Sequence, residues 1–244
     1  MNFVIVGASA GLGRSLATAL AEQGHCLLLV AGDARDLSVQ ASDLQIRFGS
    51  KVKTLSCKLE AAQASIERIA TASQTLGEVD GLFFPLGLSQ DDDDGTQSAQ
   101  SISELVNTNL SGTMALTGHF LPAMLKRNRG YLVGFGSVAA DRGRGANIVY
   151  AAAKRGLSSF FESIRHKVAG SGIKVHFYQM GYMNTSQAFG KKLPFPAVSP
   201  DQAARDIVAH LESDRGLTYY PGFWRWICMA LRVTPWFIYK KLRF

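Results

Sequence analysis

Cysteine is scarce in this sequence, and long apolar runs are missing. The 244 residues include three cysteines, Cys26, Cys57 and Cys228, which are too few and too scattered for a disulfide scaffold or a metal site. Cys26 and Cys57 lie in apolar segments, so we expect buried thiols and a reducing, cytoplasmic compartment. No run of about 18 apolar residues predicts a membrane-spanning helix. The N-terminus starts with a strand-like segment, without the charged leader of a signal peptide.

Acidic residues are outnumbered by basic ones. There are 19 Asp and Glu against 26 Lys and Arg, which gives a formal net charge of +7. Such a balance favours solubility, or attraction to phosphates or an anionic surface. No nucleic-acid-binding motif accompanies the charge, so we predict no nucleic-acid partner. A composition of 47% hydrophobic and 18% charged residues fits one α/β domain with a large core.

A glycine-rich turn follows the first apolar segment. Gly7 permits a tight turn, Gly11 lets the backbone approach a pyrophosphate, and Gly13 lets the next helix pack closely. Ser9 and Leu12 belong to the same turn. Phosphates would lie at the helix N-terminus, where backbone amides and the dipole favour an anion. The alternative is a turn without a ligand, but its position between a strand and a helix favours nucleotide binding.

Strand-like and helix-like segments alternate along the chain. The predicted strands are residues 3–6, 25–30, 51–57, 79–84, 130–136 and 173–179, with a brief edge strand at 218–220. The predicted helices are residues 14–23, 36–48, 60–76, 101–127, 147–169 and 201–212. This order predicts an α/β fold, a single doubly wound Rossmann-type parallel sheet with helices on both faces. We assign residues 1–220 to this domain, residues 181–198 to a lid within it, and residues 221–244 to a C-terminal segment.

The end of the second strand offers no clear ribose ligand. In dinucleotide folds an acid here binds the adenosine ribose, whereas an arginine accepts a 2′-phosphate. Asp33 lies late for the first role, and Arg14 and Arg35 are candidates for the second. The sequence therefore favours NADP over NAD by a narrow margin.

Four consecutive acids, Asp91 to Asp94, precede Gly95. A calcium loop spaces its acids at alternate positions and ends with a distant glutamate, and this stretch does neither. We expect a solvated loop and no metal site.

The segment from Ser137 to Lys154 carries the second chemical motif. Tyr150 and Lys154 are four residues apart, so a helix presents them on one face. A cation beside a phenol lowers the pKa of the phenol, and Ser137 at a strand end could hold a carbonyl oxygen next to it. Alone, this spacing is more typical of packing and a solvated charge. It gains weight from the glycine turn. Asn109, in a predicted core helix, needs hydrogen-bond partners of its own.

The last residues concentrate aromatic and basic side chains. Residues 221–244 contain Trp224, Trp226 and Trp236, which are all the tryptophans, interleaved with five Lys and Arg. This composition is typical of a segment that lies on an anionic membrane surface. The alternative is a helix that packs on the domain or across a dimer.

With these parts assembled, the chain resembles a short-chain dehydrogenase/reductase over nearly its whole length. Asn109, Ser137, Tyr150 and Lys154 fall where that family has its catalytic residues. The resemblance implies that Tyr150 handles the proton, Ser137 positions the substrate oxygen, Lys154 lowers the phenol pKa and binds the nicotinamide ribose, and Asn109 anchors a relay water. It implies an NAD(P) site formed with Lys58, Leu59, Gly87, Gly181 and Thr185, in which Thr185 meets the nicotinamide carboxamide.

The sequence departs from the family pattern at three positions. The family's Asn-Asn-Ala-Gly is Phe84-Pro85-Leu86-Gly87, a usual aspartate is Lys58, and the proline of a Pro-Gly turn is Met180. The altered Phe84-Pro85-Leu86 stretch supports an alternative function, a non-catalytic NAD(P)-binding protein that senses redox state.

Within the family, the second half is most similar to the ketoreductase subunits of decaprenylphosphoryl-ribose 2-epimerase. The shared residues are Asp141-Arg142-x-Arg144, Ala146-Asn147-x-Val149-Tyr150, and Pro221-x-Phe223 through Leu231-Arg232-x-x-Pro235. This similarity implies an oxidoreductase for a ketone and secondary alcohol, on a small-molecule, keto-sugar or lipid-linked sugar substrate. It also implies peripheral membrane contact through residues 222–244 on the inner membrane face. The family resemblance further implies a homodimer or homotetramer.

Overall fold

The computed structural model describes residues 1–59, 63–185 and 195–242. Its elements in chain order are β1 (Asn2–Val6), α1 (Gly11–Glu22), β2 (Cys26–Ala31), α2 (Ala34–Phe48), β3 (Val52–Ser56), α3 (Gln63–Gln74), β4 (Gly81–Phe84), α4 (Ala99–Val106), a π-helical turn (Asn107–Ser111), α5 (Gly112–Arg127), β5 (Gly130–Ser137), a 3₁₀ turn (Val138–Ala140), α6 (Ile148–Lys167), β6 (Ile173–Met180), α7 (Pro200–Ala209), β7 (Leu217–Tyr220), α8 (Trp224–Val233) and α9 (Trp236–Tyr239).

Within the described residues, seven strands form one sheet in the order β3-β2-β1-β4-β5-β6-β7. Every neighbouring pair is parallel. The chain runs outward from β1 to β3 and then returns to place β4 on the other side of β1. The strand order reverses at this point, and the carboxyl ends of β1 and β4 border the crevice where such sheets bind ligands. The predicted doubly wound α/β fold is confirmed.

Each face of the sheet has its own apolar core. Successive side chains of a strand point to opposite faces, so Phe3 and Ile5 pack with α1, α2 and α7, whereas Val4 and Val6 pack with α3, α5 and α6. These four side chains are at most 2% exposed. Burial on both faces explains why β1 is continuously apolar.

Several boundaries differ from the sequence prediction. The helix expected over residues 60–76 is α3, and residues 60–62 lie outside the described ranges. The long helix expected over 101–127 starts at Ala99 and contains the π-helical turn, which divides it into α4 and α5. Periodicity alone does not reveal one inserted residue in a helix. Cys57 and Cys228 are buried, but Cys26 is only half-buried.

The predicted lid is described in part. Residues 181–185 and 195–198 flank residues 186–194, which fall outside the described ranges, and a parallel bridge joins Met183 to Val198. No helix within the described ranges combines the length and apolar character needed to cross a bilayer.

The C-terminal segment folds against the domain through only one of its faces. Trp224, Cys228 and Tyr239 are buried, whereas Trp226, Trp236 and Phe237 are 63–67% exposed. Part of the segment therefore packs on the domain, and the predicted contact with a membrane surface stays a prediction.

Candidate active site

A cleft of about 630 Å³ opens at the carboxyl ends of the central strands. It is lined by most of the predicted site residues, namely Gly7, Ser9, Gly11, Leu12, Lys58, Leu59, Gly87, Ser137, Tyr150, Lys154, Gly181 and Thr185. Gly13, Asp33 and Asn109 do not line it. Most of the predicted catalytic and cofactor residues thus line one cavity.

The glycine turn is shaped by close backbone contacts. Gly7 has a φ of +96°, and a Cβ there would lie 2.7 Å from the backbone of Leu86. A Cβ on Gly13 would lie 1.9 Å from the Gly7 carbonyl oxygen. The first glycine is therefore needed for conformation and the last for packing of α1 onto the turn.

The start of α1 forms a cradle for an anion. Its first residue is Gly11, and the preceding Ala10 provides no side-chain cap, so the terminal amides remain available. Arg14 donates to the Ser9 carbonyl at 2.6 Å and fixes the turn. An uncapped helix N-terminus behind glycine, with the cleft before it, fits the pyrophosphate of a dinucleotide.

Asp33 and Arg14 make local contacts near the end of β2, and their predicted cofactor contacts stay predictions. The Asp33 carboxylate caps α2 by accepting hydrogen bonds from the backbone amides of Arg35 and Asp36 at 2.9 and 3.0 Å. Arg14 holds Ser9 and lies 3.6 Å from Asp36. Asp33 is the N-cap residue of α2 and has extended backbone just before the first helical residue, Ala34, which is where a carboxylate caps a helix.

Lys154 lies under the cleft and binds the backbone at two points. Its Nζ donates to the carbonyl oxygens of Leu86 at 2.9 Å and Phe135 at 3.1 Å, with 3% of the residue exposed. Burial lowers the pKa of Lys154 to about 8. Because Leu86 contributes its backbone carbonyl oxygen, this contact does not depend on which side chain stands at position 86.

Tyr150 and Ser137 meet in the cleft beside a third residue, Arg144. Burial raises the pKa of the Tyr150 phenol, while hydrogen bonding with the Ser137 hydroxyl and the positive charge of Arg144 lower it in part. The Lys154 Nζ is 5.9 Å from the centre of the Tyr150 ring. Arg144 is thus a cation beside the phenol to which the sequence analysis gave no role of this kind; the predicted effect of Lys154 on the phenol stays a prediction. The available signal was a basic residue between Ser137 and Tyr150.

Asn109 lies behind the cleft in the π-helical turn. Its side-chain amide donates to the carbonyl oxygens of Leu88 at 2.7 Å and Leu105 at 2.9 Å, and its Oδ1 accepts from the Leu88 amide at 3.1 Å. The turn frees a helical carbonyl, and Asn109 occupies it while fixing the segment after β4. The predicted requirement for partners is met in this way.

The acidic loop is not wholly solvated, and that expectation is wrong for Asp93. Asp93 is 2% exposed and accepts hydrogen bonds from the backbone amides of Val149 and Tyr150 at 2.9 and 2.8 Å. The N-cap position of α6, Asn147, has a left-handed φ of 53° and makes no side-chain cap. Asp93 therefore caps the catalytic helix from another segment. The other three acids are exposed.

The C-terminal segment is tied to the residues between Ser137 and Tyr150. Asp141 is 4% exposed and accepts from Arg232 at 2.5 Å and from the Tyr219 hydroxyl at 2.9 Å. The Arg142 guanidinium lies 3.8 Å from the centre of the Tyr239 ring, and the Tyr239 hydroxyl donates to the Gly143 carbonyl at 2.8 Å. We call these contacts the tail clamp. The C-terminal segment thus contacts the chain between Ser137 and Tyr150, which lines one side of the cleft.

Sequence and structure comparisons both find similarity to short-chain dehydrogenases. A family model described as short chain dehydrogenase matches residues 2–192. The 3-oxoacyl-[acyl-carrier-protein] reductase of Escherichia coli is 30% identical, covering 88% of this chain and 85% of its own length. An uncharacterized oxidoreductase of Myxococcus xanthus is 29% identical over 84% of this chain and 81% of its own. The solved short-chain dehydrogenase from Sphingobium yanoikuyae in complex with NADPH is 23% identical, with a TM-score of 0.83 over 94% of this chain and 92% of its own.

Proposed function

Because this chain belongs to the short-chain dehydrogenase family, we propose that it interconverts a ketone and a secondary alcohol with NADP or NAD as the hydride carrier. The main support for this proposal is that Tyr150 and the glycine turn at the start of α1 line the same cleft. A bound nicotinamide supplies or accepts the hydride. The protein's contribution is to bind that group and to manage the proton on the substrate oxygen.

The residues of the cleft divide this work. Burial raises the pKa of Tyr150, so its phenol is protonated at neutral pH and can donate a hydrogen bond and then a proton to a carbonyl oxygen. The Ser137 hydroxyl holds the same oxygen, and the Gln179 side chain donates to the Ser137 carbonyl at 2.7 Å, which fixes that strand end. Lys154 and the uncapped amides of α1 favour an anionic cofactor.

For the cofactor we propose NADP in preference to NAD. The Sphingobium yanoikuyae protein is in complex with NADPH, but a solved reductase from Brucella melitensis has bound NAD. In this chain the Asp33 Oδ1 caps α2, and Asp33 at the end of β2 is the residue that favours NAD instead. Lys58 at the cleft could accept a 2′-phosphate, although its Nζ lies 3.8 Å from Glu104. Tighter binding of NADH than of NADPH in a fluorescence titration would reverse this preference.

For the substrate we propose a keto-sugar or lipid-linked sugar, which rests on the similarity of the second half to a branch of the family. The competing function, a redox sensor without turnover, shares the cofactor site. A screen of keto-sugars and lipid-linked keto-sugars with both reduced cofactors separates them. We expect oxidation of NADPH or NADH that depends on the carbonyl compound. Tight cofactor binding without oxidation by any compound of the panel would favour the sensor.

We also propose that the C-terminal segment docks on an anionic membrane surface. Its exposed apolar residues form what we call the tail patch, consisting of Phe223, Trp226, Met229, Val233, Trp236, Phe237, Ile238 and Leu242. A concentration of exposed large apolar side chains in one short segment is typical of an interaction surface. Arg225, Lys240 and Lys241 flank it; Arg232 belongs to the tail clamp, and Arg243 and Phe244 lie outside the described residues. Each exposed cation adds about 1 kcal/mol near an anionic bilayer.

Homodimer or homotetramer formation stays a prediction.

Co-sedimentation with phosphatidylserine-containing vesicles tests the docking. We expect binding at low salt that weakens at high salt, because exposed charges are screened within about 8 Å at physiological ionic strength. Replacing Trp236 and Phe237 by alanine should remove binding. Ile46→Ala is the matched control, because Ile46 is an isolated apolar residue on α2 with 84% exposure. If the intact chain does not bind the vesicles at low salt, the docking proposal is wrong, and the tail patch would instead be a surface for a protein partner.

A further inference from the structure

Arg144 is a cation without a partner inside the cleft. Its side chain lines the cavity with Ser137 and Tyr150, and its Nε is buried without a hydrogen-bond partner. No ion pair or side-chain hydrogen bond of Arg144 occurs with any residue in the described part of the chain. Burial of an unpaired guanidinium nitrogen is unfavourable unless a ligand completes its hydrogen bonds.

The arginines around it differ in this respect. Arg142 donates to the Thr234 carbonyl at 2.6 Å, and Arg155 donates to the Asp141 carbonyl at 3.0 Å. Arg232 pairs with the Asp141 carboxylate at 2.5 Å. The structure thus satisfies three neighbouring guanidinium groups from within the protein and leaves the fourth, Arg144, facing the cavity.

The position of Arg144 favours the substrate over the cofactor phosphates. Arg144 belongs to the β5–α6 segment, whereas the glycine turn follows β1. In the sheet order β4 lies between β1 and β5, so the two segments start two strands, or roughly 10 Å, apart. Arg144 also acts electrostatically on the Tyr150 phenol. A ligand group that pairs with Arg144 would therefore lie close to the carbon that is reduced.

We propose that Arg144 is the specificity-determining residue for an anionic substrate, one that carries a phosphate or carboxylate near its ketone. A guanidinium presents parallel N–H donors that match the two oxygens of such a group, and the pairing is strongest where water is excluded. This inference rests on the proposed ketone reduction. It adds a substrate class, and it names a residue whose function depends on the charge of the ligand.

An electrostatic role for Arg144 toward Tyr150 alone predicts a different behaviour. Loss of that effect would slow the reduction of charged and uncharged ketones by the same factor, because each ketone uses the same proton donor. Loss of an anion contact would slow only the charged ketones. The ratio of kcat/KM values for a charged ketone and its uncharged analogue therefore separates the two roles.

The experiment compares two matched pairs in wild type, Arg144→Gln and Arg144→Lys. The probes are dihydroxyacetone phosphate with dihydroxyacetone, and acetoacetate with methyl acetoacetate. We expect the charged-to-neutral ratio to fall about 10- to 100-fold in Arg144→Gln, the range for loss of a charge-assisted hydrogen bond. Arg144→Lys should restore part of the charged-to-neutral ratio, because lysine keeps the positive charge but lacks the two parallel N–H donors of a guanidinium. The pair that responds more strongly identifies phosphate or carboxylate as the preferred group.

Arg129→Gln is the control, because Arg129 lies just before the start of β5, at the opposite end of that strand, near Asp80 at 3.7 Å. If wild type reduces none of the four ketones, titration calorimetry instead compares the affinities of the NADP-bound protein for ribose 5-phosphate and for ribose. An unchanged ratio in Arg144→Gln, or equal binding of both sugars to wild type, would overturn the proposal for Arg144. Failure of wild type to bind either cofactor would contradict the proposed function instead, and fluorescence titration detects that separately.

Discussion

The Asp93 carboxylate accepts a hydrogen bond from the backbone N–H of Tyr150 at 2.8 Å, so a loop acid caps the helix that carries the proposed proton donor. Removing this cap in Asp93→Ala should lower the free energy of unfolding by about 1–2 kcal/mol. Urea denaturation measures the change. Asp92→Asn is the matched control, because Asp92 is the exposed neighbour in the same loop. Equal destabilisation by both substitutions would show that the cap does not contribute.

The same contact predicts a pH dependence. Burial by itself would raise the pKa of Asp93, but hydrogen bonds from the amides of Tyr150 and Val149 outweigh it and lower the pKa below the ordinary 3.8. A lowered carboxyl pKa stabilises the fold above the unfolded-state value and loses that effect as the pH falls through the folded-state value. The stability difference between wild type and Asp93→Asn should therefore be full at pH 6 and shrink below about pH 4. A difference that is constant down to pH 3 would contradict this.

The tail clamp should support both stability and turnover. In Arg232→Gln the buried Asp141 carboxylate keeps Tyr219 and Arg155 but loses its closest cation, so we expect a loss of about 1–3 kcal/mol in unfolding free energy. We further expect a several-fold lower kcat with unchanged cofactor affinity, because the clamp holds the segment between Ser137 and Tyr150. Arg47→Gln, which removes a surface pair with Asp43, is the control and should cost under about 0.5 kcal/mol. Wild-type stability and kcat in Arg232→Gln would show that the clamp is dispensable.

Two helical glycines should respond in opposite ways to alanine. A Cβ at position 13 would lie 1.9 Å from the Gly7 carbonyl oxygen, whereas one at position 118 has no atom within 4 Å. Gly118→Ala should therefore stabilise the protein by about 0.5–1 kcal/mol through helix propensity. Gly13→Ala should destabilise it and weaken cofactor binding, measured by thermal denaturation and fluorescence titration. Normal cofactor affinity in Gly13→Ala would mean that the turn relaxes without consequence.

The sequence predicts those features that depend on local periodicity and on short motifs. Alternating apolar runs and helical patterns give the parallel sheet, and the spacing of Gly7, Gly11 and Gly13 gives the turn. The four-residue spacing of Tyr150 and Lys154 places both at the cleft. Each of these depends on residues close together in the chain, where backbone geometry fixes their relation.

The missed features join segments that are distant in sequence. Asp93 meets a helix that begins more than fifty residues later, and Asp141 meets Arg232 ninety-one residues away. Four adjacent acids look solvated because nothing local marks the one that turns inward. Arg144 is one of two arginines between Ser137 and Tyr150, and only the contacts of the other, Arg142, distinguish them. Tertiary packing decides these cases, and no short-range pattern encodes it.

Turnover by Tyr150→Phe tests the central claim most directly. The substitution removes one hydroxyl and keeps the ring, so the cleft and the cofactor site are preserved. With a ketone that wild type reduces, the account predicts loss of at least about 100-fold in kcat, the usual contribution of a positioned proton donor. Cofactor affinity, measured by fluorescence titration on the same sample, should match wild type. A wild-type rate of ketone-dependent NADPH or NADH oxidation by Tyr150→Phe would contradict the assignment of Tyr150 as the proton donor.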